Sequence, residues 1–242
     1  RIEDSGEDEI RELADSFNRT TEKINSLMLD IKEQSEEKAR LEFDALQAQI
    51  NPHFLANTLN TISYLAQLRG MENIQNIAEA LTHILMVNMG KEDEIITIEK
   101  ELSYVKDYLL IQSYRYTNIQ RVEFQLPEEL MQYRIPKFIL QPIVENAVVH
   151  GISQMPAGKG TVRVSGYLYE GEIHLSVVDN GPGIPQDIQE KLLDKESHEI
   201  HGLGIRSVDR RLKLMFGESF GVFISSEPGF TKMELIFPAE GS

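Results

Sequence analysis

Residues 179–183 read Asp179-Asn180-Gly181-Pro182-Gly183, directly after a stretch at 172–178 in which apolar and polar residues alternate. Such alternation marks a strand with one buried face. The glycines that follow allow a close backbone approach and unusual dihedrals. A carboxylate at the strand end, just ahead of them, can accept a hydrogen bond from an amino group. By itself such a turn is a tight loop more often than a nucleotide site. Outward from it, residues 119–126, 160–169, 221–226 and 232–237 alternate in the same way. Helical patterns fill 136–151, 185–193 and 204–216. Strands in hairpins, broken by helices that must cover one face, predict an α+β layered domain over 119–242, a sheet on a helical layer.

Two further stretches in this half carry chemistry. The first is Gln141-Pro142-Ile143-Val144-Glu145-Asn146-Ala147-Val148-Val149-His150-Gly151. Glu145, Asn146 and His150 are polar groups in an otherwise apolar helix, and Asn146 and His150, four apart, share a face. An amide oxygen and a carboxylate are hard ligands of the kind Mg²⁺ takes; a helix with one wet side would look the same. The second is Gly202-Leu203-Gly204-Ile205, which opens a helix. Free N–H groups and a positive dipole end at such a place suit phosphate, although the spacing is neither that of a Walker loop nor that of a Rossmann turn.

The N-terminal half has a different texture. Between residues 10 and 68 there is no glycine and a single proline. Ile10, Leu13, Phe17, Thr20, Ile24, Leu27, Ile31, Gln34, Lys38, Leu41, Ala45 and Ala48 recur at alternating steps of three and four. That is a heptad seam, and its length without a cap favours a parallel coiled-coil dimer over a lone amphipathic helix. Downstream, Phe54, Leu55, Leu59, Ile62, Leu65 and Leu68 fall along one helix, and Ile74, Ile77, Leu81, Ile84 and Leu85 along the next. Two antiparallel helices cannot bury both faces alone, so two hairpins are expected to form a dimeric four-helix bundle. At the entry to the first helix stands Asn51-Pro52-His53-Phe54-Leu55, an imidazole one residue after a helix-kinking proline.

Bulk properties narrow the function. The 242 residues carry a net charge of −15, which argues against direct nucleic-acid binding, since that requires basic faces. Absence of cysteine excludes disulfide and thiolate–zinc chemistry. No apolar run has the length of a membrane span. Arg1, not Met, opens the sequence, which is expected of part of a longer protein.

Taken in order, the amide-bearing helix, the Asp-Gly turn and the glycine loop before a helix resemble the ATP-binding domain of the GHKL superfamily, which contains gyrase, Hsp90, histidine kinases and MutL. Within it the chain resembles sensor histidine kinases of the LytS/YesM type, over nearly its whole length. Leu46-Gln47-Ala48-Gln49-Ile50-Asn51-Pro52-His53-Phe54-Leu55, followed by Asn57, Leu59 and Asn60, is similar to that family's phosphoacceptor motif. Residues 139–151 are similar to its N box, and 202–217, with Arg211-Leu212-Lys213, to its second glycine box. Residues 7–18 resemble the second helix of a HAMP signalling module. Ala56 stands where the family commonly has phenylalanine, Gly229-Phe230-Thr231 replaces a more usual Gly-Thr pattern, and no acidic residue follows His53 directly.

The resemblance implies an ATP-dependent protein histidine kinase of a two-component system, with residues 1–45 as HAMP helix and coiled coil, 46–118 as dimerisation and phosphoacceptor helices, and 119–242 as the ATP domain. His53 would be the phosphoacceptor, and Asn57, four residues on, would help dephosphorylate the partner. Asn146 would hold Mg²⁺ with Glu145 beside it, and His150 would lie near the phosphates. Asp179 would read the adenine amine, Gly181 and Gly183 would shape its pocket, Gly202 and Gly204 would cradle phosphates, and Thr231 would sit near the adenine end. Residues 183–201 would form a mobile lid, in which His198 and His201 read as solvated side chains rather than a metal pair. The implied partners are a second copy of the chain and a response regulator with an acceptor aspartate. The implied location is the cytoplasmic side of a bacterial membrane, reached only through segments outside this sequence.

Overall fold

The computed structural model describes residues 52–89, 94–192 and 202–239, together with Arg19, Thr20 and Lys23. Apart from those three residues the expected HAMP helix and coiled coil lie outside the described residues, as do residues 193–201 of the expected lid, His198 and His201 among them. The chain divides into two compact units, Arg1–Pro52 and His53–Ser242.

The larger unit begins with a helical hairpin, α1 (Pro52–Leu68) and α2 (Glu72–Met89). Gly70, at φ 64°, makes the turn. Ser63 Oγ–H donates to Glu79 Oε1 across the hairpin (3.0 Å), and Gln75 Nε2–H donates to the same oxygen (2.9 Å). The apolar side of α1 predicted from sequence divides in two. Ala56 and Ala66 are buried, with Leu59 and Ser63 half-buried on the same side, whereas Phe54, Ile62, Leu65 and Leu68 stay exposed.

A short strand, β1 (Ile95–Thr97), leads into α3 (Ile98–Arg115), which is capped by Thr97: the Lys100 N–H donates to its Oγ1 (3.3 Å). Glu99 and Glu101 in the first turn complement the positive end of the helix. Next come β2 (Ile119–Gln125), β3 (Arg134–Pro136), α4 (Gln141–Asn146), a π-helical turn (Ala147–Gly151), β4 (Gly160–Tyr169), β5 (Glu172–Asp179), α5 (Gln186–Leu192), α6 (Leu203–Phe216), β6 (Gly221–Glu227) and β7 (Phe230–Pro238).

Five strands form one sheet in the order β2-β4-β5-β7-β6, and β1 pairs antiparallel with β3 apart from it. The predicted hairpins are found at β4–β5 and β6–β7, whereas β2 runs parallel to β4. A parallel neighbour requires a long crossover, here the segment 126–159 that holds the amide-bearing helix. Val162, Val164, Ile173, Leu175, Val177, Met233, Leu235 and Phe237 point inward against α3, α4 and α6. The opposite face is open and mixed: Arg163 Nε–H donates to Glu123 Oε2 (2.9 Å) there, and Tyr167, Tyr169 and Phe223 are exposed. One covered and one open face is the layered α+β arrangement expected from the alternation.

The helix expected over 136–151 begins only at Gln141. Residues 134–136 are spent on pairing with β1, and Phe138 takes a left-handed φ of 59°, which no α-helix continues.

Candidate functional site

Five segments converge on a cavity of about 1010 Å³: the end of α4 with its π-turn, the turn after β5, α5, the start of α6, and the β6–β7 turn. Asn146, His150, Gly151, Asp179, Gly183 and Thr231 line it, and Gly202 closes one side. Six residues proposed from sequence (Asn146, His150, Asp179, Gly183, Gly202 and Thr231) therefore share one space, although 85 positions separate Asn146 from Thr231 in the chain.

Asp179 is the last residue of β5 and is buried. Its Oδ1 accepts the Gly181 N–H (2.9 Å), which fixes the carboxylate in the turn. Burial pushes this carboxyl up to about 6, and the Gly181 hydrogen bond only partly opposes it. A desolvated acceptor of this kind gains from a donor brought by a ligand. Asn180 ties the turn to β4: its Oδ1 accepts the Thr161 N–H (2.7 Å) and its Nδ2–H donates to the Lys159 carbonyl (2.9 Å).

Gly181 does not line the cavity; it forms the floor beneath Asp179. A Cβ there would lie 2.6 Å from Gly151 Cα and 2.7 Å from Asp179 Oδ1, and a Cβ on Gly151 would lie 2.5 Å from the same oxygen. The π-turn and the β5 turn thus touch backbone to backbone, which only glycine permits. Gly202 sits at the N-cap of α6 in the left-handed region (φ 87°). Gly204, the second residue of α6, faces Pro142, where an added Cβ would lie 3.2 Å from the ring, and is not among the lining residues.

Asn146 is half-buried, with Nδ2 3.9 Å from Met233 Sδ. Turned that way, the amide keeps its oxygen, the hard donor, for another partner. Glu145 is exposed and does not line the cavity. It lies toward α3, where burial first, and then the charge of Glu145, raises the Tyr108 hydroxyl. The helix therefore brings one side-chain oxygen, that of Asn146, to the cavity rather than the pair expected; an ion such as Mg²⁺, which takes much of its shell from water and phosphate oxygens, needs no more from the protein.

Thr231 stands opposite Asp179 in the β5–β7 register. Its hydroxyl is 2.8 Å from Ser226 Oγ, which also accepts the Ile184 N–H (2.8 Å). Gln189 Nε2–H donates to the carbonyls of Ile184 (2.6 Å) and Ser226 (3.1 Å). Sequence reading missed Ser226 and Gln189, since a serine and a glutamine in polar stretches carry no periodic or motif signal.

His53 stands on α1, exposed, and does not line the cavity. Asn57 is the residue in contact with its ring, with Nδ2 3.2 Å from Nδ1 and 3.5 Å from Nε2. The same amide turned over would offer its oxygen to a protonated Nδ1 and leave the Nε2 lone pair facing outward.

Comparison with known proteins places these two regions in separate families of domain. A family model described as "Histidine kinase" matches residues 41–120, and one described as "Histidine kinase-, DNA gyrase B-, and HSP90-like ATPase" matches residues 133–241. The sensor histidine kinase YesM of Bacillus subtilis (strain 168) is 33% identical over 221 residues, covering 91% of this chain and 37% of YesM. The sensor protein LytS of Bacillus anthracis is 34% identical over 212 residues, covering 85% of this chain and 36% of LytS. YwpD of Bacillus subtilis (strain 168) is 32% identical over 220 residues, 90% of this chain and 77% of that protein. The chain thus spans little more than a third of the length of YesM and of LytS. Among the described residues no helix is long and apolar enough to cross a membrane.

Proposed function

The chain belongs to the histidine kinase family, and from that premise we propose that it transfers the γ-phosphoryl group of ATP to His53 and then to an aspartate of a response regulator. The observation that carries the nucleotide half of this reading is the buried Asp179 carboxylate at the cavity wall. It is fixed by Gly181 and short of donors, as a reader of the adenine amine must be. Gly181 and Gly183 would shape the pocket around the base, with Thr231 beside them. Gly202, at the N-terminus of α6, and His150 would face the phosphates, with Gly204 behind the loop. Asn146 would hold Mg²⁺ through its amide oxygen. When bound, the ion neutralises charge on the β- and γ-phosphates.

Phosphoryl transfer through a loose transition state asks mainly for positioning. A lone pair of the neutral His53 imidazole would form the new N–P bond as the bond to the bridging oxygen breaks. ADP departs with that electron pair, and the proton on the other ring nitrogen is released. In the second step the aspartate oxygen takes the phosphorus and the N–P bond breaks. Asn57, in contact with the ring, is suited to orient it and to position water for hydrolysis at the partner. Since His53 does not line the cavity, the acceptor hairpin and the ATP domain, residues 46–118 and 119–242, must move relative to each other for transfer.

A second copy of the chain is the expected partner of the hairpin. The exposed strip of Phe54, Ile62, Leu65 and Leu68 supports this, because a bundle of four helices would cover it. The nucleotide half is tested by titrating a fluorescent ATP analogue with and without Mg²⁺. Saturable, Mg²⁺-strengthened binding that is lost in Asp179→Asn is expected; equal binding by both proteins would overturn it.

A further inference from the structure

Glu101, in the first turn of α3, is fully buried and belongs to none of the motifs discussed above. Its Oε1 accepts the Leu140 N–H (2.8 Å) and its Oε2 accepts the Phe138 N–H (2.8 Å). The N–H groups of Ile139 and Gln141 also point at it. Four consecutive backbone donors thus converge on one carboxylate, an anion nest filled by a side chain from a different helix. Burial raises this carboxyl, and the four N–H groups pull against that rise.

The nest lies immediately before α4, the helix that delivers Asn146 to the cavity. The N-cap residue of α4, Leu140, has no side chain that can cap, and Pro142 supplies no N–H. Glu101 therefore provides the cap that the local sequence lacks. It also holds Phe138 at its left-handed φ of 59°, a conformation an aromatic residue adopts only when its surroundings impose it. Other contacts converge on the same turn: Arg211 Nη1–H of α6 donates to the Lys137 carbonyl (3.0 Å), and the Tyr104 ring of α3 packs on Phe138 with centroids 5.9 Å apart.

Tyr104 reaches the other way too, meeting His83 of α2 edge-on at 5.3 Å, and His83 Nδ1 pairs with Asp107 Oδ2 one turn further along α3. One helix thus touches both the acceptor hairpin and the turn that aims the amide helix.

We propose that Glu101 is a positioning residue: it fixes the turn 138–141 and so sets where Asn146 stands relative to the phosphates of bound Mg·ATP. The proposal rests on the nucleotide reading. Its effect falls mainly on the phosphate end of the ligand, because Asp179 is carried by β5 and hydrogen-bonded by Gly181, and meets the α4 segment only at Gly151, the far end of the π-turn from the 138–141 turn. In Glu101→Gln the amide has one oxygen in place of two and turns N–H toward N–H, leaving a buried donor unmet.

The experiment measures dissociation constants of Mg·ATP and of adenosine for the wild type, Glu101→Gln and Glu101→Asp. Glu101→Gln is expected to weaken Mg·ATP about tenfold, the scale of one lost charge-assisted hydrogen bond, and adenosine by less than about twofold. Glu101→Asp, which keeps the charge on a shorter stem, is expected to recover part of the loss. Parallel weakening of both ligands, or none of either, would overturn the proposal. If Glu101→Gln does not fold by circular dichroism, the same comparison on Glu101→Asp decides it. Wild type that binds neither ligand would instead sink the nucleotide reading itself.

Discussion

The carboxyl of Asp179 is where burial and chemistry conflict most. It titrates at about 6 in the fold against 3.8 when unperturbed. Below about pH 4 the group is neutral both folded and unfolded, and burial has no electrostatic cost. As pH rises through about 6 the unfolded chain has already released the proton while the fold holds it. The free protein is destabilised over that window by about 3 kcal/mol in all. Asp179→Asn keeps the acceptor for Gly181 and loses the charge. Its urea midpoint, measured without nucleotide, should exceed that of the wild type near neutral pH, and the gap should close as pH falls toward 4; a pH-independent gap would contradict the assignment. A donor from adenine favours the ionised form, so nucleotide affinity should fall on acidification from about pH 7 to 5, with the wild type following the Asp179 titration. Asp179 was legible because an acid at a strand end before glycines is a local pattern. Glu101 was not: it looks like any acid in a first helical turn, and its partners lie 37 and 39 residues downstream.

Among the elements, those with several residues of alternation or helical period were read with nearly the right bounds, including β4, β5 and α6. Three-residue strands were missed, since β1 and β3 are too short to alternate, and their pairing is what delays α4 to Gln141. The parallel pairing of β2 with β4 was also out of reach, since direction is not written in alternation. The contact between the π-turn and the β5 turn gives a sharp prediction. In Gly181→Ala the new methyl would stand 2.6 Å from Gly151 Cα and 2.8 Å from its carbonyl carbon, backbone atoms that cannot swing aside as a side-chain end could. The two turns must separate, so nucleotide binding should weaken by at least about tenfold while the far-UV spectrum is retained. Isothermal titration of the variant checks this, and wild-type affinity would refute the shared floor.

For the molecule as a whole, the open question is how a donor in one domain meets an acceptor in another. Phe54, Leu65 and Leu68 are 65%, 55% and 63% exposed, an apolar strip on the same helix as His53. Burying one such side chain contributes about 1.5–3 kcal/mol, so the strip favours association of two hairpins. Replacing Leu65 and Leu68 by Glu should raise the dimer dissociation constant by at least about tenfold in sedimentation experiments, with ATP binding retained because the cavity is lined from one chain; an unchanged constant would move the interface elsewhere. The central claim is that the cavity and the hairpin form a single kinase, with His53 its acceptor. It is tested most directly by incubating wild type and His53→Gln with γ-labelled ATP and Mg²⁺, then splitting each sample between acid and base. The account predicts label on the wild type that is lost in acid and survives in base, as a phosphoramidate does, and no label on His53→Gln. Label that persists in His53→Gln, or that survives acid, would contradict it.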